Sequence, residues 1–400
     1  MRSGVSERLP LVSAMLALLR TLLMVLVCCG GLVVLASGAP PSAAQGQPAL
    51  PPIGDTTALR ISAEAGRADA QYLLGVAYMT GVGLAKDFTE AMRWFRLAAD
   101  QGLADALTAV GVMFDTGRGV KADPEEAAKW YLRAAALGDV EAFNSLAALY
   151  ETGRGVPLDA AEAATWLRRS AEKGDARGQY LLGLRHHQGH GVQQDIALAV
   201  SLLHQSATQG FADAQFTIGM VYLQGQGVAV DAGEGIQWLR KAADQGHVAA
   251  QNNLAIAYAT GAGVERDPRE AIRWWQTAAD AGDAMAAANL AAMYVAGNGV
   301  QPDPSRAVYW WREAAQQGLA RAQAELGSAL VVGRGTSPDF AEGYMWLVLA
   351  AERANDDERE EFTNKRDAAR TRLTPGEIQD AERRANAWTI RFEQEQDRSR

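Results

Sequence analysis

The chain has 400 residues and a formal net charge of −9 at pH 7, and 48% of its residues are apolar, enough for a large buried core. Residues 1–44 carry three arginines and one glutamate, a charge of +2, so the rest of the chain carries −11. A surface this acidic repels phosphate backbones and argues against nucleic acid as a partner. The 40 glycines, against 13 prolines, indicate glycine at recurrent positions.

The N-terminal residues 1–44 have the pattern of a secretory signal peptide. Arg2 and Arg8 precede an unbroken apolar run over 21–36, and small residues follow that run. The alternative is a retained signal anchor, since the stretch 9–36 is long enough to span a bilayer. Both interpretations place the rest of the chain outside the cytoplasm. We therefore expect a periplasmic protein, either free or anchored in the inner membrane, with no other membrane contact.

Two further features follow from this N-terminal region. Cys28 and Cys29 are the only cysteines and both lie in the apolar run, so a cleaved chain has no disulfide and no thiolate. Residues 45–58 are rich in proline and alanine and are predicted to be a disordered linker.

The remainder of the chain repeats with a period of 36 residues. Seven tryptophans keep this step, with one gap whose midpoint is Leu202: Trp94, Trp130, Trp166, Trp238, Trp274, Trp310 and Trp346. A pair of glycines two residues apart keeps the same step, from Gly81 and Gly83 to Gly333 and Gly335. An aspartate keeps it too, from Asp87 to Asp339. Eight consecutive repeats therefore run from Arg67 onward, and residues 60–66 match the end of a ninth.

Each repeat has the pattern of two helices, as the repeat 247–282 illustrates. Ala250, Leu254 and Tyr258 recur at helical spacing, and Gly261 predicts the end of that first helix. The second helix is predicted to begin after a capping Asp267, with Glu270 reaching back to complete a capping box. Because one such pair cannot bury both its faces alone, the pairs should stack into an elongated α-solenoid.

The segments ADAQYLLGVAYMTGVGL (68–84) and DFTEAMRWFRLAADQG (87–102) form the first complete repeat. Almost position for position, their pattern resembles that of the Sel-1-like repeat, a relative of the tetratricopeptide repeat. The resemblance implies an all-α fold, a right-handed α-solenoid over 59–353 made of eight repeats and an N-terminal half repeat. The charged tail 354–400 resembles the ending of bacterial members. Thr374-Pro375-Gly376-Glu377 forms a capping box there, so two helices are expected to cap the last repeat.

No catalytic motif stands out, and we expect neither an enzyme nor a cofactor. The repeated Gly-x-Gly closes a helix and precedes a loop, whereas a dinucleotide fingerprint follows a strand and opens a helix. The recurring aspartates are 36 residues apart at helix starts, where capping explains them. The doublets Trp274-Trp275 and Trp310-Trp311 have their first ring at the periodic core position. Their second rings are expected to be packing residues, with a carbohydrate-stacking role as the alternative.

Function in solenoids usually lies on the surface formed by the first helices, so we expect a protein or peptide partner there. Asn253 and Asn289 occupy the same place in adjacent repeats and could hydrogen-bond an extended backbone. The resemblance implies adaptor or regulatory work in the envelope, and an envelope polysaccharide or peptidoglycan is the alternative ligand. The candidate partner-binding residues are Arg177, Arg185, Gln188, Thr217, Gln224, Asn253, Asn289 and Glu325.

Three of the five histidines cluster in the fourth repeat at His186, His187 and His190. His186 takes the place of a periodic tyrosine, and His190 lies between the two connector glycines. Without cysteine, and with one histidine in a loop, the cluster is a poor preorganised metal site, so no metal is expected. The same repeat has Leu202 in place of the periodic tryptophan and Leu198 in place of the glutamate that six of the eight repeats have at the position of Glu270. We therefore predict that repeat four is the least stable unit of the solenoid.

Overall fold

The computed structural model describes residue 53 and residues 55–399. This part of the chain consists of nineteen α-helices with no β-strand, and consecutive helices pack in pairs as repeats. The predicted signal segment 1–44 lies outside the described residues. The half repeat is helix α1 (Thr56–Glu64), capped by Asp55, whose carboxylate accepts a hydrogen bond from the backbone N–H of Ala58. The predicted linker 45–58 therefore extends too far, because its last three residues are helical.

Helices of thirteen residues alternate regularly through the eight repeats, apart from a final one of fourteen. The first helices are α2 (Ala68–Thr80), α4 (Ala104–Thr116), α6 (Val140–Thr152), α8 (Ala176–Gln188), α10 (Ala212–Gln224), α12 (Val248–Thr260), α14 (Ala284–Ala296) and α16 (Ala320–Val332). The second helices are α3 (Phe88–Asp100), α5 (Pro124–Ala136), α7 (Ala160–Glu172), α9 (Ile196–Thr208), α11 (Ala232–Asp244), α13 (Pro268–Asp280), α15 (Pro304–Gln316) and α17 (Phe340–Arg353).

The two connector glycines are needed for different physical reasons. Gly117 ends α4 in the left-handed conformation at φ 68°, and its N–H bonds to the carbonyl of Met113. Gly119 also has a positive φ, and a Cβ there would lie 2.3 Å from the carbonyl oxygen of Phe88 in the preceding repeat. The first glycine therefore terminates a helix, and the second lets its loop touch the neighbouring repeat.

The predicted capping box is wrong for the repeats, although the aspartate caps are present. Asp267 accepts from the N–H of Glu270 at 3.2 Å, but the N–H of Asp267 donates to the carbonyl of Tyr258 at the end of the first helix. The Glu270 carboxylate is bonded to Arg273 at 2.7 Å instead of reaching back. A reciprocal box does form in the tail, where Glu377 Oε2 accepts from the N–H of Thr374 at 2.8 Å.

In five of the eight repeats, a glycine in the first helix lies against a large side chain of the second helix, and in the other three an alanine takes its place. A Cβ at Gly75 would lie 2.6 Å from the ring of Phe95, and one at Gly111 would lie 2.6 Å from Tyr131. The most buried aromatic position is therefore the one after the periodic tryptophan. The expectation that Trp274 occupies the core position is wrong, since Trp274 is only half-buried while Trp275 is 3% exposed.

The buried apolar residues form successive clusters along the solenoid, as a nearest-neighbour core requires. One cluster extends from Val76 to Leu182 and includes Leu202, and a larger one begins at Ile236. Between them lies a small cluster that includes Leu203 and Trp238. The core is thus subdivided within repeat four, where adjacent residues of α9 belong to different clusters.

Two more helices, α18 (Asp356–Arg370) and α19 (Pro375–Ser399), follow the last repeat and cap it as predicted. Phe362 of α18 lies 36 residues after Leu326 and is fully buried, so the repeat period continues into the tail. From α19, Trp388 packs edge-to-face on Trp346 with ring centroids 5.9 Å apart. Glu382 accepts a hydrogen bond from the Tyr344 hydroxyl at 3.0 Å. These contacts cover the apolar face of α17, which would otherwise be exposed.

Candidate functional site

The first helices have one side on which most residues are half-buried or exposed, and we call it the first-helix face; on this side Thr108, Asn144 and Ala324 are buried. With about 3.6 residues per turn, the second, fifth, sixth, ninth, twelfth and thirteenth residues of each first helix lie on one side. The third and seventh residues lie on the other side, and they include the fully buried Ala70 and Leu74. The first-helix face consists of those six positions in α2, α4, α6, α8, α10, α12, α14 and α16.

The ninth position marks the centre of the first-helix face, and its residues are almost all apolar. Only Val76 of this row is buried, while Ala148 and Ala292 are exposed and the others are half-buried. The row consists of Val76, Val112, Ala148, Leu184, Met220, Ile256, Ala292 and Ser328. An apolar row on helices that face solvent gives the face a means of holding another protein's apolar side chains.

Four of the sequence-predicted site residues share the sixth position of their helices: Thr217, Asn253, Asn289 and Glu325. The Thr217 hydroxyl donates to the carbonyl of Asp213 at 2.8 Å, within its own helix. Asn253 Nδ2 donates to the carbonyl of Ala249 at 2.8 Å. Asn289 Nδ2 reaches Asn252 Oδ1 of the neighbouring repeat at 3.4 Å. The structure brings the two asparagines into register in adjacent repeats, at the edge of the apolar row.

Asn252 was missed by the sequence analysis and connects this polar edge to the core. Its Oδ1 accepts a hydrogen bond from Trp275 Nε1 at 2.9 Å as well as the contact from Asn289. The extra tryptophan ring is therefore an internal packing residue. Trp311, the other second ring, is also buried, so neither ring is available to stack on a sugar.

Arg185 and Glu325 are placed differently from the prediction. Arg185 Nη1 bonds to Glu151 Oε1 of the preceding repeat at 2.8 Å, and their side chains are only 16% and 13% exposed. Glu325 Oε1 accepts from Lys365 Nζ of α18 at 3.1 Å. Both side chains hold neighbouring parts of the solenoid together. Contacts of this kind between repeats are not visible in a helical pattern.

The other predicted site residues, Arg177, Gln188 and Gln224, are less constrained by contacts within the protein. Arg177 is exposed and forms a loose ion pair with Glu141 of the preceding repeat, with Nη1 and Oε1 3.8 Å apart. Gln188 is exposed at the end of α8. Gln224 is half-buried and accepts from Gln226 Nε2 at 2.6 Å. Arg177 and Gln188 can therefore still change partners on binding.

Three carboxyl groups on the first-helix face lie in a partly desolvated environment. Burial raises the pKa of Asp105, and the nearby charge of Asp139 raises it further. Burial also raises the pKa of Asp115 and Glu141, although Arg154 and Arg177 respectively oppose the shift. Asp105 and the Glu141 side chain are nevertheless exposed to solvent. Carboxylates that are both accessible and desolvated gain from a cation brought by a partner.

The histidine cluster contributes to contacts between repeats. His190 Nε2 lies 3.3 Å from Glu151 Oε1, the same oxygen that Arg185 bonds. His186 Nδ1 lies 3.2 Å from the carbonyl oxygen of Gln193 within its own repeat. Across the described residues, no group of three or more His, Cys, Asp or Glu side chains is placed to hold a metal ion. Among the same residues, no helix is long and apolar enough to cross a membrane.

Comparisons with known proteins agree with this geometry. The family model for the Sel1 repeat matches eight consecutive segments: 68–103, 104–139, 141–175, 176–211, 212–247, 248–283, 284–319 and 320–355. A search of curated proteins finds no significant match.

Two solved structures are similar over most of the chain. The protective antigen c5321, present in uropathogenic Escherichia coli strains and displaying an SLR fold, is 33% identical with a TM-score of 0.51; the match covers 84% of this chain and 79% of that one. A Sel1 repeat protein from Oxalobacter formigenes is 30% identical with a TM-score of 0.58, covering 77% of this chain and 89% of that one.

Proposed function

Because the chain belongs to the Sel1 repeat family, whose TPR-like repeats generally mediate protein–protein interaction, we propose that it is a non-catalytic scaffold of the cell envelope that binds a protein partner on its first-helix face. The observation that carries this proposal is the half-buried apolar row at the centre of that face. Leu184, Met220 and Ile256 are accessible enough to contact a partner and are held in place by the core beneath. Stacked repeats present such rows as one extended surface.

The envelope location rests on the N-terminal pattern. The order of basic, apolar and small residues in 1–44 is that of an exported protein, so the solenoid is proposed to act in the periplasm, free or anchored at the inner membrane. A fusion of alkaline phosphatase to the C-terminus tests this, because that enzyme is active only after export. Activity supports the location, and an inactive fusion at normal abundance rejects it. N-terminal sequencing of the recovered protein then distinguishes cleavage from anchoring.

Site-specific photocrosslinking in intact cells tests the binding face. A photoreactive phenylalanine analogue is placed at Ile256, on the apolar row, and in a matched variant at Leu132, which is 43% exposed on a second helix. We expect a discrete crosslinked protein from position 256 and none from position 132. Equal products from both positions, or products from 132 alone, would reject the first-helix face as the binding surface.

A further inference from the structure

The first-helix face changes chemical character along the solenoid. Its second position is charged through five repeats and then apolar in two: Asp69, Asp105, Glu141, Arg177, Asp213, Ala249, Met285 and Arg321. Its twelfth position is mostly polar through four repeats and apolar in the last four: Met79, Asp115, Glu151, His187, Leu223, Ala259, Val295 and Val331. We call α2, α4, α6 and α8 the charged half of the face, and α10, α12 and α14 the apolar half, although α10 still carries the exposed Asp213, whose Oδ1 lies 3.4 Å from His247 Nε2.

The charged half has more negative than positive charge to offer. Two arginines beside it are already engaged, since Arg154 bonds to Asp115 at 2.8 Å and Arg185 to Glu151 at 2.8 Å. Arg177, the one arginine of this half of the face, is loosely paired with Glu141 at 3.8 Å. Asp105 has no basic side chain within ion-pair distance among the described residues. Glu151 Oε2 is buried there without a hydrogen-bond partner. The surplus carboxylate charge makes this half complementary to Lys or Arg side chains.

The apolar half offers contacts of a different kind. Met220, Leu223 and Ile256 are half-buried, packed against the core from below and open to solvent above. The amides of Asn253 and Asn289 lie beside them, each with its Oδ1 left without a hydrogen-bond donor in the described part of the chain. A row of apolar side chains beside unpaired carbonyl oxygens suits a peptide that has apolar side chains and free backbone N–H groups.

We propose that the first-helix face binds one segment of a partner protein in a fixed orientation, and that this segment has a basic end and an apolar end. The Lys and Arg side chains of that segment lie against α4 and α6, and its apolar side chains lie against α10, α12 and α14. The orientation is fixed because reversing the segment would place cations on the apolar half and apolar groups on carboxylates. This inference rests on the proposed function and names the chemistry of the partner.

Synthetic peptides of equal length test the inference directly. Four fluorescent peptides are titrated against the full-length protein in non-ionic detergent: basic–apolar in blocks, basic–polar, acidic–apolar, and a form of the first with its residues scrambled. We expect the basic–apolar block peptide to bind tightest and to weaken as salt is raised. Equal binding of the acidic–apolar or the scrambled peptide would overturn the inference, as would no binding of the basic–apolar peptide by protein with a normal helical circular dichroism spectrum.

Two double variants test what each half of the face contributes to peptide binding. Asp105→Asn with Glu141→Gln should weaken basic–apolar peptide binding by about tenfold and reduce its salt dependence. Met220→Gln with Ile256→Gln should weaken binding to a similar degree without changing the salt dependence. The matched controls, Glu125→Gln and Leu132→Gln on the exposed surface of α5, should leave binding unchanged. If both pairs change affinity and salt dependence alike, the two halves do not act separately and the inference fails.

Failure of the inference about the basic segment can be distinguished from failure of the proposed function. Crosslinking from Ile256 does not depend on the charge of the partner, so a captured protein whose contact segment is acidic would preserve the binding scaffold and overturn the basic segment alone. Absence of any crosslink, together with peptide binding that the face variants do not alter, would remove both.

Discussion

Trp238 Nε1 donates a 2.8 Å hydrogen bond to Glu234 Oε1, one helical turn earlier in α11. The same bond joins Trp130 to Glu126 and Trp346 to Glu342, each at 3.1 Å. Six repeats have a glutamate four residues before the tryptophan, and in three of them it accepts a hydrogen bond from the indole. In repeats one and three the indole N–H of Trp94 and of Trp166 is buried without a partner.

The glutamate–indole bond should be measurable as stability. Glu234→Ala is expected to lower the free energy of unfolding by about 1–2 kcal/mol, because the buried indole N–H of Trp238 loses its acceptor. Glu162→Ala is the matched control, since the indole of Trp166 is already unpaired while the helix-start position is the same. Urea denaturation followed by circular dichroism measures both. Equal losses in the two variants would contradict the role of the bond.

Repeat six lacks a glutamine that repeat five has, and restoring it should stabilise the protein. In repeat five Gln245 Nε2 donates to the buried Gln215 Oε1 at 2.7 Å, whereas in repeat six Gln251 Oε1 is buried without a donor because Ala281 stands at the matching place. Ala281→Gln should raise the free energy of unfolding by about 1 kcal/mol by supplying that donor. Thermal denaturation checks this, and an unchanged or lower melting temperature would refute it.

Removing the matching glutamine of repeat five provides the control for Ala281→Gln. Gln245→Ala should destabilise the protein by about 1 kcal/mol because Gln215 Oε1 is then left without its donor. Gln317→Ala, at the same place in repeat seven, should be close to neutral, since Ala287 offers no acceptor there.

Repeat four is predicted to open more readily than its neighbours. The buried apolar residues divide into separate clusters between Leu202 and Leu203, as they also do within repeats one and five. Repeat four is the one repeat that lacks both the tryptophan and the glutamate four residues before it. Amide hydrogen exchange measured by mass spectrometry should be faster in α8 and α9 than in α6 and α7. Slower exchange in α8 and α9 than in those neighbours would show that the subdivision does not weaken the solenoid.

The joint between repeats three and four can be tested by one side chain. Arg185→Ala removes the principal cation from Glu151, whose carboxylate is largely buried. We expect a loss of about 2–3 kcal/mol in the free energy of unfolding, reduced from a fully buried pair by the remaining access of solvent and by His190. Arg177→Ala is the control, because its pair with Glu141 is exposed and loose, and it should cost well under about 1 kcal/mol.

The carboxyl groups of the first-helix face give a pH dependence of defined sign. The folded-state pKa of Asp105 is raised, so its contribution to stability is full below the unfolded pKa and is lost as pH rises through the folded value. Asp105→Asn should therefore stabilise the protein slightly at pH 7, by about 0.5 kcal/mol or less because the group is exposed, and not below about pH 4. Urea denaturation at both pH values measures the difference, and a variant that is less stable at pH 7 would contradict it.

The contribution of Glu342 to the free energy of unfolding should have the opposite pH dependence. Burial acts to raise its pKa, but hydrogen bonds from Arg312 and Trp346 outweigh it and hold the pKa below its usual value. Its contribution is present above the unfolded pKa and is lost as pH falls through the folded one. Glu342→Gln should thus destabilise at pH 7 and matter less in acid, as denaturation at the two pH values can show.

The candidate site was only partly accessible to sequence reasoning. Asn253, Asn289 and Thr217 were found because the period places them on one side of the first helices. The change from a charged to an apolar half was available from the same alignment of repeats, by comparing Asp115 and Glu151 with Leu223, but needed the exposed face to be identified first. The ion pairs of Arg185 and Glu325 could not be predicted, since their partners lie in another repeat and in the tail.

The helices and most of their ends follow from the sequence, because local backbone rules act within a few residues. Asp267 can cap only the helix that follows it, and Gly261 can end only the helix before it. The 36-residue period adds the stacking of the repeats. Which aromatic ring is more deeply buried, where the glutamates bond and which charges remain free follow only from the folded arrangement. Trp275 rather than Trp274 is buried, and Arg185 is held by Glu151, because these outcomes depend on distances between repeats that a 36-residue period does not specify.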